Sequence, residues 1–140
     1  MGNKQAYDKY ASMTESLPMF FNKLNYQTTF ISSVSLGFLN ERSFLSGMQF
    51  KKIIGEEAFK DKKKYVFDAA PDMDLYNKTL ETIQSYQKVD KPYFVALQTI
   101  SSHKPFDTPY GTTPADMFSY TDKTLYAFYQ KLKQADFFKD

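Results

Sequence analysis

Cysteine and tryptophan are both missing from this 140-residue sequence, and it contains a single histidine. Without cysteine there is no disulfide and no thiolate metal site. With His103 as its only histidine, the chain cannot build a histidine-rich metal site either. The lack of cysteine fits the cytosol and equally an extracytoplasmic location that avoids stray oxidation. Charge of one sign is also missing. Lys and Arg number 18 against 16 Asp and Glu, so there is no long-range field for nucleic acid or acidic lipid, and no nucleic-acid partner is expected. The one dense basic stretch, Lys60-Asp61-Lys62-Lys63-Lys64, reads as a solvated loop or a lysine-guarded strand edge. No apolar run approaches the roughly 18 residues that span a bilayer. The opening Met1-Gly2-Asn3-Lys4-Gln5 is polar and shows no signal peptide.

What is present is aromatic: 14 Phe and 11 Tyr, so rings must supply much of the burial and many hydroxyls must find partners. The length suits one domain. Ser16-Leu17-Pro18 reads as a helix start, with serine as cap and proline in the first turn. Leu17, Phe20, Phe21 and Leu24 follow on one helical face. Residues Gln27 to Val34 are β-branched and bounded by turn residues, which predicts a strand. Leu36 to Asn40 reads as the loop at its carboxyl end, Glu41 to Ser46 as a short helix, and Phe50 to Ile54 as a second extended piece. Tyr65-Val66-Phe67 reads as extended. A helix begins at Pro71-Asp72, with Met73, Tyr76, Leu80 and Ile83 as its stripe. Tyr93 to Ile100 is nearly continuous apolar sequence, the pattern of a strand buried on both faces of a parallel sheet. A long helix covers Asp116 to Gln134, with Phe118, Leu125, Phe128, Tyr129 and Leu132 near one face.

This alternation of helix and strand predicts an α/β fold with a mostly parallel sheet. Two convincing strands are too few to close such a sheet, so the chain reads as a piece of a larger α/β domain. A piece of that kind exposes a sheet edge and self-associates through it. The alternative is a complete small binding module that docks a protein or glycan partner and stays a compact monomer.

In open α/β sheets, ligands bind outside the carboxyl ends of the strands. Thr99-Ile100-Ser101-Ser102-His103 is one such end, and Ser32-Ser33 through Asn40 is the other. Ser32, Asn40, Arg42, Ser101, Ser102 and His103 are the polar candidates there. An arginine and a histidine beside hydroxyls suit a phosphate or sulfate oxygen, because both donate hydrogen bonds and carry or acquire positive charge. The competing reading makes His103 an ordinary loop residue and Arg42 a surface cation. A nucleophilic Ser101 or Ser102 would need an adjacent base and a recognisable elbow. Asp72 and Asp74 read as helix-start carboxylates rather than metal ligands.

The segments "SLPMFFNKLNYQTTFI", "GFLNERSFLSGMQF", "DMDLYNKTLETI", "KPYFVALQTISSHKPF" and "YTDKTLYAFYQKLKQADFF" resemble, in order and spacing, the central part of the lipoteichoic acid synthase and sulfatase-like branch of the alkaline phosphatase superfamily. The resemblance implies a partial α/β/α sandwich. Residues 1–140 would then be the central fragment of one catalytic domain, with the hydroxyl nucleophile upstream and an Asp-His metal pair downstream. It implies a divalent metal, manganese or zinc, in the intact enzyme and none bound by this fragment. It implies transfer of a phosphoglycerol, phosphoethanolamine or related group from a phospholipid-derived substrate, or hydrolysis of a sulfate ester. The setting would be the extracytoplasmic part of a membrane-anchored bacterial protein. His103 matches the family histidine that contacts the substrate's phosphate group, and Arg42 matches an arginine that does the same. An offset of one residue places Glu41 at that position instead. Ser32 stands where the synthases tend to have a histidine, and Leu39 where they tend to have a tryptophan.

Overall fold

A computed structural model describes residues 15–139. In chain order the elements are α1 (Leu17–Lys23), β1 (Gln27–Ser32), α2 (Glu41–Gly47), β2 (Lys52–Ile54), α3 (Asp72–Gln87), β3 (Tyr93–Gln98) and α4 (Pro114–Gln134). Short 3₁₀ turns lie at Phe38–Asn40, Glu56–Phe59 and Val66–Asp68.

The three strands form one sheet in the order β2-β1-β3, and both pairings are parallel. The register sets Ile31 beside Ile54 and Leu97, and Ser32 beside Gln98. Side chains alternate across the strands, which divides the sheet into two packed faces. Thr29, Ile31, Val95 and Leu97 face α3 and α4. There Ile31, Ile54, Phe59, Ala70 and Leu75 make one core cluster, and Tyr76, Ile83, Phe128 and Leu132 make a second. Phe94 faces the other way, stacked on Phe21 of α1 at 4.7 Å, with Phe50 close by. The result is an α/β/α arrangement with α1 on one face and α3 and α4 on the other.

Helix boundaries follow local chemistry. Ser16 caps α1: its hydroxyl accepts from the Met19 N–H and donates to the Met48 carbonyl. Thr113 and Asp116 form a reciprocal capping box at the start of α4, with Pro114 in the first turn.

Four expectations need correction. The expected face of α1 is largely exposed at Leu17, Phe20 and Leu24, whereas Pro18 and Phe21 face the protein. This short helix is docked mainly by polar bonds, including Asn22 Nδ2 donating to the Gln49 carbonyl and Thr28 Oγ1 donating to Asn22 Oδ1. Tyr65-Val66-Phe67 is not extended. Tyr65 and Ala69 bond across it, and Phe67 and Asp68 both take positive φ. On α4 the buried residues are Met117, Tyr120, Thr124, Phe128 and Leu132, while Phe118, Leu125 and Tyr129 are exposed. The seam thus includes a methionine, a tyrosine and a threonine that a purely apolar stripe passes over. β3 is half-buried along its whole length rather than buried on both faces. The cause is topological: among the described residues it is an edge strand, with a neighbour on one side only.

Beside that edge lies an apolar groove of 270 Å³, lined by residues including Tyr93, Val95, Leu97, Phe128, Leu132 and Phe137. An unpaired parallel edge above an apolar groove is a template for association. The 140-residue chain is therefore expected to self-associate at micromolar concentration. Light scattering that finds a stable monomer would count against it, as would a Val95→Lys substitution that leaves the association unchanged.

Candidate functional site

The parallel pairing brings the carboxyl ends of all three strands to one rim. Three polar arrangements organise that rim. The first is buried. Asp72, only 2% exposed, opens α3. Its Oδ1 accepts from the backbone N–H groups of Ile100 at 2.9 Å and Ser101 at 3.1 Å. In return the Asp72 N–H donates to Ser101 Oγ at 3.0 Å. Helix α3 and the loop leaving β3 are thereby clamped together. Tyr120 of α4 extends the clamp, its hydroxyl accepting from the Met73 N–H. Burial pushes the Tyr120 hydroxyl far above its ordinary value, and the neighbouring charges of Asp72 and Asp74 add to that. Asp72 is the helix-start carboxylate that the sequence indicates. Ser101 is engaged in this clamp, with no base bonded to its hydroxyl.

The second arrangement crosses the ends of β1 and β3. Ser32 Oγ donates to Gln98 Oε1 at 2.9 Å and accepts from the Val34 N–H. The Gln98 side chain also lies beside the Glu41 carboxylate. Burial raises the Glu41 pKa, and the Gln98 amide only partly offsets it. The connection that delivers Glu41 holds both Leu39 and Asn40 at positive φ, an unusual pair for non-glycine residues.

The third lies beyond β2. Glu56 accepts from Ser35 Oγ and the Leu36 N–H, and Glu57 accepts from the Gly55 N–H and from Arg42 Nη2 at 2.9 Å. Burial by itself would raise both carboxyl pKa values. For Glu56 the hydrogen bonds outweigh it, and for Glu57 the hydrogen bonds and the Arg42 charge do, so both lie below the ordinary 4.5.

His103 sits just past β3, exposed. Its N–H donates to the Ile100 carbonyl at 2.9 Å, and its ring meets Phe67 edge to face at 4.8 Å. The positive φ of Phe67 is what turns that ring toward the loop. Nδ1 donates to the Lys104 carbonyl. With Nδ1–H so committed, Nε2 carries a proton only in the imidazolium form, and the ring donates to an anion as a cation. Ser102, its neighbour, lines a surface cavity of 410 Å³ together with Thr99, Thr121, Asp122, Phe118 and Leu125.

The expected site residues thus share a rim but have different partners. Ser32 and Ser101 are buried and bonded, Ser102 and His103 are exposed, and Arg42 is paired with Glu57. Asn40 Oδ1 accepts from Ser43 Oγ. Gln98, which joins Ser32 across the strand ends, has one signal in the sequence: its place as the final residue of an apolar strand. Among the described residues no three His, Asp or Glu side chains come together as a metal site.

Two consequences are measurable. Asp72→Ala strands two backbone N–H groups, one of them buried, and should destabilise the chain by about 3 kcal/mol. Asp72→Asn, which keeps an acceptor at Oδ1, should lose about 1 kcal/mol. Urea denaturation reads both, and equal losses would refute the clamp. The second consequence concerns acid. Carboxylates held below their ordinary value contribute stability above pH 4.5 and lose it as pH falls through their folded-state values. The urea midpoint should therefore drop on acidification below 4.5, and the double variant E56Q/E57Q should flatten that slope.

The geometry matches known proteins. No curated protein matches the sequence. Among solved structures, the lipoteichoic acid synthase LtaP from Listeria monocytogenes superposes with a TM-score of 0.82 at 26% identity. The match covers 92% of this chain and 35% of that one. A protein in the alkaline phosphatase superfamily from Vibrio parahaemolyticus superposes with a TM-score of 0.81 at 27% identity, over 90% of this chain and 33% of that one. The chain therefore spans about a third of the length of each of these relatives, and its fold is a partial alkaline-phosphatase-like α/β arrangement. The sulfatase family profile matches residues 1–138; with the profile covering nearly all of its length, the chain belongs to the sulfatase family.

Proposed function

We propose that this chain is the central part of the catalytic domain of a metal-dependent phosphoryl- or sulfuryl-group enzyme. The reading favoured is transfer of a phosphoalkyl group, of phosphoglycerol or phosphoethanolamine type, from a lipid-derived donor in the cell envelope. Hydrolysis of a sulfate ester is the variant of the same chemistry. The hydroxyl nucleophile and the Asp-His pair that holds manganese or zinc would come from parts of the protein outside these residues. The domain would lie outside the cytoplasm, attached to a membrane anchor. No helix among the described residues is long and apolar enough to cross a membrane.

His103 is the residue assigned to substrate binding. The observation that supports it is its place: an exposed imidazole just beyond the carboxyl end of β3, in a chain of the sulfatase family. As an imidazolium it donates from Nε2 to a non-bridging phosphate oxygen, countering charge that builds during transfer. Arg42 is the second assignment. Glu57 occupies one of its five N–H donors, and the pair is half exposed, so the remaining donors are available to an anion at the β2 side of the rim.

A charge-assisted hydrogen bond is worth roughly 1.5–3 kcal/mol. In the intact enzyme His103→Ala should accordingly lower turnover by about one to two decades. Arg42→Gln, already half compensated by Glu57, should cost less than His103→Ala. The 140 residues alone should show no phosphodiesterase or sulfatase activity in an assay with added manganese or zinc. Turnover by the isolated chain, or an intact His103→Ala enzyme as fast as its parent, would contradict the assignment.

A further inference from the structure

The connection between β2 and α3 holds a large ring outside the core, and does so at a conformational cost. Phe67 is 53% exposed, so burial does not account for it. Phe67 and Asp68 take consecutive left-handed conformations, with φ of 56° and 54°. Residues other than glycine avoid that region and stay in it only where their surroundings impose it. The surroundings here are firm. The Tyr65 N–H donates to the Ala69 carbonyl at 2.9 Å, and the Asp68 N–H donates to the Tyr65 carbonyl at 3.0 Å. Val66, Ala69 and Ala70 are buried. The Ala70 carbonyl accepts from Ser33 Oγ, just past β1, at 2.7 Å. Two residues further on, Asp72 holds the N–H groups of Ile100 and Ser101, and the Ile100 carbonyl receives the His103 N–H. Phe67 and His103 therefore hang from neighbouring points of one braced frame.

The strained turn delivers a ring contact. Phe67 meets the His103 ring at 4.8 Å with 75° between the planes, a T-shaped geometry that aromatic pairs favour. The imidazole is exposed, and its Nδ1 reaches the Lys104 carbonyl. A carbonyl only accepts, so Nδ1 carries the proton. One hydrogen bond leaves an exposed ring rotational freedom to lose, and the phenyl ring restricts it from a second side. We propose that Phe67 is a positioning residue for His103: it holds the imidazole so that Nδ1–H stays on the Lys104 carbonyl and Nε2 is left for an oxygen of the substrate's phosphate or sulfate. The inference rests on the reading of His103 as the substrate contact and adds the group that aims it.

The test begins with the 140-residue chain carrying nitrogen-labelled histidine. His103 is the only histidine, so long-range proton–nitrogen NMR spectra report one ring. At a pH where that ring is neutral, wild type should show a proton on Nδ1 and none on Nε2. Phe67→Ala should move the proton toward Nε2, changing the ratio of the two forms by roughly three- to tenfold, the span of one aromatic pair. Phe67→Tyr should keep the wild-type spectrum. Phe67→Leu, which retains bulk without an aromatic face, should behave as Phe67→Ala does. Amide dispersion checks that each variant is folded, and Phe67→Leu carries the test if Phe67→Ala is not. In the intact enzyme Phe67→Ala should lower kcat by a similar roughly three- to tenfold and cost nothing further in a His103→Ala background. A wild-type ring protonated on Nε2 overturns the proposal, as does a tautomer that neither Phe67→Ala nor Phe67→Leu disturbs. So does an intact Phe67→Ala enzyme as fast as its parent when His103→Ala is slow, or a double variant in which the two losses multiply. If the tautomer shifts as expected but His103→Ala is as fast as its parent, the substrate reading of His103 fails and the hold of Phe67 on the ring stands.

Discussion

One buried carboxylate holds the functional end of this molecule together. Asp72 accepts from two successive N–H groups at the carboxyl end of β3 and returns its own N–H to Ser101. A charge this deeply buried is tolerable only because those donors replace its water. The clamp fixes where the loop after β3 begins, and so where Ser102 and His103 emerge. Tyr120 ties α4 to the same point through Met73. Four elements of the chain are thus referred to one helix start: α3, β3, α4 and the loop that carries the histidine.

The rest of the rim is built on the same plan, with carboxylates used as fasteners for backbone N–H groups. Glu56 fastens Leu36 and Glu57 fastens Gly55. Glu41 stands apart, because burial raises its pKa where those of Glu56 and Glu57 are lowered. Gly55 shows how tight this corner is: a Cβ there would come within 2.6 Å of both Arg42 and Glu57. A side chain there would push the flexible ends of the Arg42–Glu57 pair aside.

The elements were largely legible in the sequence, and the faces they bury were not. Serine and proline at Ser16-Leu17-Pro18 announce a helix start through a cap that works locally, whereas the capping box of Thr113 and Asp116 starts α4 at Pro114, ahead of the expected Asp116. Asp72 is legible as a helix-start carboxylate for the same reason. The buried face of α4 departs from its apolar stripe, with Thr124 and Met117 buried while Phe118 and Leu125 are exposed, because which side of a helix meets the sheet depends on neighbours distant in sequence. β3 reads as a doubly buried strand, yet it is half-buried, because among the described residues it has a neighbour on one side only.

The sequence by itself determined the α/β alternation, the parallel sheet, the family and the strand-end loop that carries His103, because each rests on local propensity or on order along the chain. Only the tertiary structure decided that Arg42 turns to Glu57 beyond β2, that Ser101 is consumed by Asp72, and that Phe67 turns against the histidine ring. The physical reason is the side-chain period. A shift of one residue on a short helix rotates a side chain by about 100°, and which of two adjacent charged residues faces the rim is settled by what each finds to bond there.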